Sequence, residues 1–238
     1  MLVEEIRREL RRFVDPHVLR KSIAWEKQYH EDQKLYGVTT PLVRKVASKY
    51  YQKVRKLGKR EIFGFCEELL SSGYIEERTI AFDWAFRVKK SFDPNDFCVF
   101  ERWLKRHVHG WGGCDDLCTH ASGAFVFQFP QFVPNVKEWA KSENRWLRRA
   151  SAVVLIYSVR RKQRLEEVFE IADRLLLDED VMVQKGYGWM LKEASNKYPR
   201  EVFDYVMKHR REMPRTALRY AIEKLPVEMR EEAMEKGA

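Results

Sequence analysis

Apolar residues along the chain recur at intervals of three and four. Val43, Val46, Ala47 and Tyr50 follow Thr40-Pro41 in this rhythm, and Ile62, Phe65, Cys66 and Leu69 repeat it. Ile80, Trp84 and Val88 continue it, as do Phe97, Phe100, Trp103 and Leu104. This is the period of an α-helix with one buried face, and nowhere does a convincing two-residue alternation replace it. Asp15-Pro16, Thr40-Pro41 and Asp93-Pro94 each supply a capping side chain followed by a proline whose fixed φ suits a first helical turn. Breaks at Gly58, Ser72-Gly73, Ser91, Gly110, Phe129-Pro130, Ser142, Asp178 and Pro199 cut the chain into helices of ordinary length joined by short loops. The expectation is an all-α protein.

Short loops force consecutive helices to lie antiparallel. The helix pairs recur at roughly 35 to 45 residues, a period that belongs to HEAT-like and related α-solenoids. A single domain over residues 1–238, built as a solenoid of tandem HEAT-like pairs with a basic concave face, is therefore predicted, with a compact bundle as the alternative. A concave wall matters for function because it is shaped to cradle a duplex.

Charge sharpens that picture. The formal net charge is +9, and residues 1–60 alone hold 16 Lys/Arg against 7 Asp/Glu, so the excess is local. A second stretch, RWLRRASAVVLIYSVRRKQR at 145–164, carries seven Lys/Arg and no acid. Such a surface suits a phosphate backbone, or it serves only to keep a basic protein solvated. The start MLVEEIRREL has charges every few residues and no signal-like apolar run, and no segment approaches a membrane span, so a cytoplasmic protein is expected. Four cysteines, at 66, 98, 114 and 118, make no secreted disulfide framework.

The densest chemistry lies in HVHGWGGCDDLCTH, 107–120. His107, His109, Cys114, Cys118 and His120 are metal-capable, but their spacing matches no standard zinc pattern and no second Cys pair completes one. No metal and no cofactor is expected. Cys114 and Cys118 are read as small buried residues on a helix beginning near Gly113, and the three histidines as ordinary surface or packing residues. Trp111 and Asp115 stand four apart. If helical geometry already holds at Trp111, an indole and a carboxylate share one face, about 100° around the axis from the cysteines. By themselves these two also fit a core Trp and an acid favoured by the helix dipole.

Two further stretches bear on the choice. SENRWLRRASAVVL places Trp146 and Arg149 near each other from a helix start at Ser142, and VQKGYGWMLKEAS carries Trp189 behind Gly186 and Gly188. Glycine is a poor mid-helix residue, so the close approach of another group is expected there. Trp111, Trp146 and Trp189 are separated by 35 and 43 residues, near the repeat length, which would align them along one groove.

YGVTTPLVRKVASKYY, WGGCD, NRWLRRASAVVL, QKGYGWMLKEAS and MPRTALRYAIEKL, in that order and at that spacing, resemble the DNA alkylation repair family of HEAT-like proteins, the AlkD-type alkylpurine DNA glycosylases. The likeness runs from about Lys21 to about Leu225. It implies hydrolysis of the N-glycosidic bond of cationic N3- or N7-alkylpurines in duplex DNA by a monomer. It also implies a catalytic set of Trp111, Asp115, Arg149 and Trp189, with Arg145, Trp146, Arg148, Arg149, Lys185, Arg215 and Arg219 against the DNA. The chain departs from the family's W-D-x-V-D in having Gly112-Gly113 after Trp111 and a second acid, Asp116, beside Asp115; Arg148 likewise competes with Arg149. Two other functions stay open: a non-catalytic HEAT-like module for branched or distorted nucleic acid, and a protein-interaction scaffold.

Overall fold

The computed structural model describes residues 1–28 and 33–235. Its regular structure is helical, as the periodicity predicts; among the described residues the only extended pairing is an isolated bridge between Lys34 and Tyr74. No helix there is long and apolar enough to cross a membrane. The chain divides into two compact units, Met1–Ala121 and Ser122–Ala238.

The first unit contains α1 (Leu2–Arg12), α2 (Pro16–Gln28), α3 (Thr40–Val54), α4 (Lys59–Leu70), α5 (Ile75–Arg87), α6 (Asp96–His107) and α7 (Trp111–Thr119). Asp15 caps α2, its Oδ1 accepting from the His17 amide at 2.7 Å. Helix α5 lies at the centre, packing against α3, α4 and α7. Its apolar stripe of Ile80, Ala81, Trp84 and Ala85 is fully buried. The Trp84 indole donates to the Ala47 carbonyl at 2.9 Å, so burial leaves no orphan N–H. At its start α5 buries three charged residues in succession, Glu76, Glu77 and Arg78. The Glu76 carboxylate accepts the backbone N–H groups of Tyr36, Gly37 and Val38 at 2.8–3.1 Å, which fixes the segment entering α3. Glu77 accepts from the Tyr36 hydroxyl at 2.6 Å and from Arg7 at 3.1 Å.

Helix α8 (Ala121–Gln128) crosses into the second unit, followed by α9 (Val133–Trp139), α10 (Arg145–Val153), α11 (Ile156–Val159), α12 (Leu165–Leu175), α13 (Val181–Ser195), α14 (Pro199–His209), α15 (Arg215–Ile222) and α16 (Val227–Met234). Helix α13 is its axis, with α10, α12, α14 and α15 packed on it. The two mid-helix glycines explain how they come so close. A Cβ at Gly186 would stand 2.9 Å from Arg149 Cγ, and one at Gly188 would stand 2.7 Å from Tyr220 Cβ and 2.8 Å from the Ala217 carbonyl oxygen. The close approach expected at these glycines is thus internal: they seat α10 and α15 on α13.

Some boundaries shift from those read in the sequence. Asn144, not Ser142, caps α10, its Oδ1 accepting from the Trp146 amide at 2.8 Å. Helix α6 starts at Asp96 because Asp93 and Pro94 form a turn, in which Asp93 Oδ1 accepts from the Asn95 amide at 2.9 Å. Helix α7 begins at Trp111 rather than near Gly113, with Gly110 as its extended N-cap.

Candidate functional site

Because α7 starts at Trp111, helical geometry does hold there, and Trp111 and Asp115 lie one turn apart on one face. The adjoining faces are packing: Gly113, Cys114, Leu117 and Cys118 are buried, and both cysteines are free thiols. Trp111 is 37% exposed, whereas Trp84, Trp103, Trp139 and Trp146 are buried. An indole that costs apolar surface in water at the first turn of a helix is the kind of feature that marks a contact surface. Asp115 is half-buried.

The two glycines after Trp111 differ in role. A Cβ on Gly112 would meet nothing within 4 Å, but on Gly113 it would stand 2.7 Å from Arg78 Cζ and Nε. Arg78 is itself buried, donating to Gln33 Oε1 at 2.5 Å and to the His107 carbonyl at 3.4 Å, so it has little freedom to yield. Gly113→Ala should therefore destabilise the protein by about 1–3 kcal/mol, as overpacking does, while Gly112→Ala should be neutral or gain up to about 1 kcal/mol of helix propensity. Urea titration of the two variants checks the contrast.

Asp116 pairs with Arg44 of α3, whose other terminal nitrogen lies 3.4 Å from Asp83 of α5, so one guanidinium ties three helices together. His120 Nδ1 lies 3.3 Å from Asp116 Oδ1. The bond to Asp116 raises the His120 pKa above its ordinary value against the opposing effect of burial. A raised histidine pKa means that this pair stabilises fully below the unfolded value near 6.5 and loses its contribution as pH climbs through the folded value. The excess in melting temperature of wild type over His120→Gln should accordingly be larger at pH 5.5 than at pH 8.5.

Two hollows of about 300 and 370 Å³ flank Trp111 and share Thr40, Ile75 and Thr79 in their walls. The first carries Arg44, Arg78 and Asp116, and the second Lys21 and Ser22. Of Lys21, Ser22, Arg44, Arg78 and Asp116, only Asp116 stood out as a site residue in the sequence. Arg44 lies within the YGVTTPLVRKVASKYY motif, so its position was in view but its partners, 39 and 72 residues away, were not. Among the described residues no group of three or more His, Cys, Asp or Glu is placed to hold a metal ion.

In the second unit the predicted DNA-facing residues fall into two groups. Those of α10 are largely used internally. Arg145 pairs with Asp180 at 3.3 Å and lies over the Trp146 ring at 4.5 Å. Arg148 pairs with Asp178 at 2.6 Å and donates to the Ser142 carbonyl at 2.9 Å. Arg149 is only 5% exposed and donates to the Met182 carbonyl at 2.5 Å. Trp146 is 7% exposed, so it is a packing residue and not the open DNA contact expected of it. The seven cations at 145–164 are likewise less free than their count suggests, because acids from distant segments neutralise several of them. The other group is more open. Arg215 and Arg219 are exposed one turn apart on α15. Trp189 and Lys185 are half-buried on α13.

Trp189 donates from Nε1 to Glu193 Oε1 at 3.0 Å, and Arg160 grips the same carboxylate with Nε and Nη2 at 3.0 Å each. Neither Glu193 nor Arg160 stood out as a site residue in the sequence; Glu193 shows only as an acid one turn beyond Trp189, and Arg160 as one cation in a run.

The fold is thus helical, with an exposed indole on the first turn of α7 and two acids on the turn after it. The model of the DNA alkylation repair enzyme family matches residues 6–225, and the chain belongs to that family. Among solved structures it is similar to a predicted DNA alkylation repair enzyme from Enterococcus faecalis, at 17% identity and a TM-score of 0.78, with 90% of this chain and 97% of that one covered; this likeness is one of fold. No curated protein gives a significant match. Family membership supports a role in the repair of alkylated DNA.

Proposed function

We propose that the protein is a monofunctional DNA glycosylase that hydrolyses the N-glycosidic bond of cationic N3- or N7-alkylated purines in duplex DNA. The observation that carries this reading is the face that α7 presents: Trp111 is exposed on its first turn and the half-buried Asp115 lies one turn beyond it on the same side, in a chain of the DNA alkylation repair family. In this reading Asp115, which shares the Trp111 face, is the carboxylate that does the chemistry, with Asp116 as the alternative.

Alkylation at N3 or N7 leaves a formal positive charge on the purine. When the bond from C1′ to the base nitrogen breaks, its electron pair neutralises that ring, so no general acid is needed for the leaving group. Positive charge then builds on the deoxyribose, where a carboxylate stabilises it and orients the water that forms the new bond to C1′. The water's proton passes to solvent by way of Asp115. In the first unit Trp111 would offer its π face to the cationic nucleotide, a contact worth about 0.5–2 kcal/mol, and in the second unit Trp189 would offer its face to the DNA. In the second unit the exposed Arg215 and Arg219, with Lys185, would hold the DNA backbone, and Arg145, Arg148 and Arg149 would take phosphates only by exchanging their present contacts with Asp180, Asp178 and the Met182 carbonyl. The chemistry calls for no metal or organic cofactor, and its selectivity rests on the lesion's own charge.

The test is release of N7-methylguanine and N3-methyladenine from methylated duplex by the purified protein. One observation favours a second reading. Arg149 is buried and donates to a backbone carbonyl, an arrangement that also fits a module binding distorted DNA without cutting it. Tight duplex binding with no base release by the wild type would sink the glycosylase and leave that module.

A further inference from the structure

We infer that Glu193 is a positioning residue for Trp189 and that Arg160, which holds Glu193, presents a phosphate-binding guanidinium beside that indole. The inference rests on the glycosylase reading for what Trp189 does, and on geometry alone for what holds it.

Trp189 and Glu193 lie one turn apart on α13, so their side chains meet on one face. Unlike Trp84, whose N–H ends on a backbone carbonyl deep in the core, the half-buried Trp189 donates to an ionised side chain. Glu193 Oε1 accepts from the indole and from Arg160 Nη2, and Oε2 accepts from Arg160 Nε, all at 3.0 Å. The Glu193 side chain is 16% exposed and held ionised, its pKa lowered first by the Arg160 bond. Three donors on one carboxylate leave it a single orientation, and the indole ring inherits that orientation. A hydrogen bond from indole N–H to an anion also makes the ring face more electron-rich, which favours contact with a cation.

Arg160 spends only part of its fork on Glu193. A guanidinium has five N–H donors, of which Glu193 takes two, and the side chain is 47% exposed. Arg160 also opens an exposed cationic run. Arg161 stacks on Tyr157 with its guanidinium 3.5 Å from the ring centroid, and Lys162 takes a left-handed turn at φ 58°. A polyanion meeting this edge would find its phosphate next to Trp189.

Three measurements test the arrangement in the full-length protein. In spectra of 15N-labelled protein, with the Trp189 indole signal identified by Trp189→Phe, Glu193→Ala should shift that signal upfield and Glu193→Gln, which keeps an acceptor oxygen, should largely restore it. In single-turnover assays on methylated duplex, Glu193→Ala should slow base release about 10- to 100-fold with duplex affinity within about threefold, and Glu193→Gln should recover most of the rate. Arg160→Gln should lower the slope of log affinity against log salt by about 1, the mark of one lost phosphate contact. An unmoved indole signal in Glu193→Ala, or wild-type base release by it, overturns the positioning role; an unchanged salt slope overturns the phosphate contact. If the wild type releases no base, the glycosylase reading fails separately, and the indole signal and the salt slope still decide both halves. Melting curves of each variant separate these losses from unfolding.

Discussion

Asp115→Asn should release N7-methylguanine from methylated duplex about 100- to 1000-fold more slowly than wild type, with duplex affinity changed by less than about threefold. Asparagine has the same shape, so the packing of α7 survives, but the negative charge that would face the developing sugar cation is gone. Because such an interaction is made only in the transition state, the loss belongs in the rate constant and not in binding. Asp116→Asn provides the contrast. It weakens the link from Arg44 to α7 and the contact with His120, so it should lower the melting temperature while costing far less in rate. A collapse in Asp116→Asn with Asp115→Asn near wild type would move the catalytic role by one residue.

Glu76→Ala should be among the most damaging single substitutions in the first unit. The carboxylate is 4% exposed and accepts three consecutive backbone N–H groups, those of Tyr36, Gly37 and Val38. Removing it takes the acceptor from three consecutive backbone donors, at about 1 kcal/mol or more each. A total of about 3–5 kcal/mol corresponds to a fall in melting temperature of roughly 6–20 °C for a chain of this size. Val38 and Glu76 also line the larger hollow beside Trp111, so the loss should loosen that wall. A drop of less than about 2 °C would show that the 36–38 segment holds itself.

Much of the helical layout was legible because it is local. The caps at Asp15 and the breaks at Gly58 and Gly110 act within one turn of themselves, and so does the three-and-four spacing of Ile80, Ala81 and Trp84. Trp111 and Asp115 were legible for the same reason, since four residues on a helix fix a shared face. What a local reading missed were the partners. Arg145 and Arg148 read as open cations because their acids, Asp180 and Asp178, lie 35 and 30 residues further on and reach them only through tertiary packing. Gly186 and Gly188 signalled a close approach correctly, but nothing nearby in sequence says that the approaching groups are Arg149 and Tyr220. Glu193 stood plainly one turn past Trp189, yet its weight comes from Arg160, 33 residues earlier.

The seat that Gly186 makes for Arg149 bears on how DNA would be held. With its guanidinium donating to the Met182 carbonyl between α10 and α13, a phosphate can reach Arg149 only in molecules where that contact has opened. If Arg149 takes the phosphate, affinity is then the product of two numbers, the grip of the open form and the fraction of molecules in it. A closed state that outweighs the open one a hundredfold weakens apparent binding by about the same factor, about 2.7 kcal/mol.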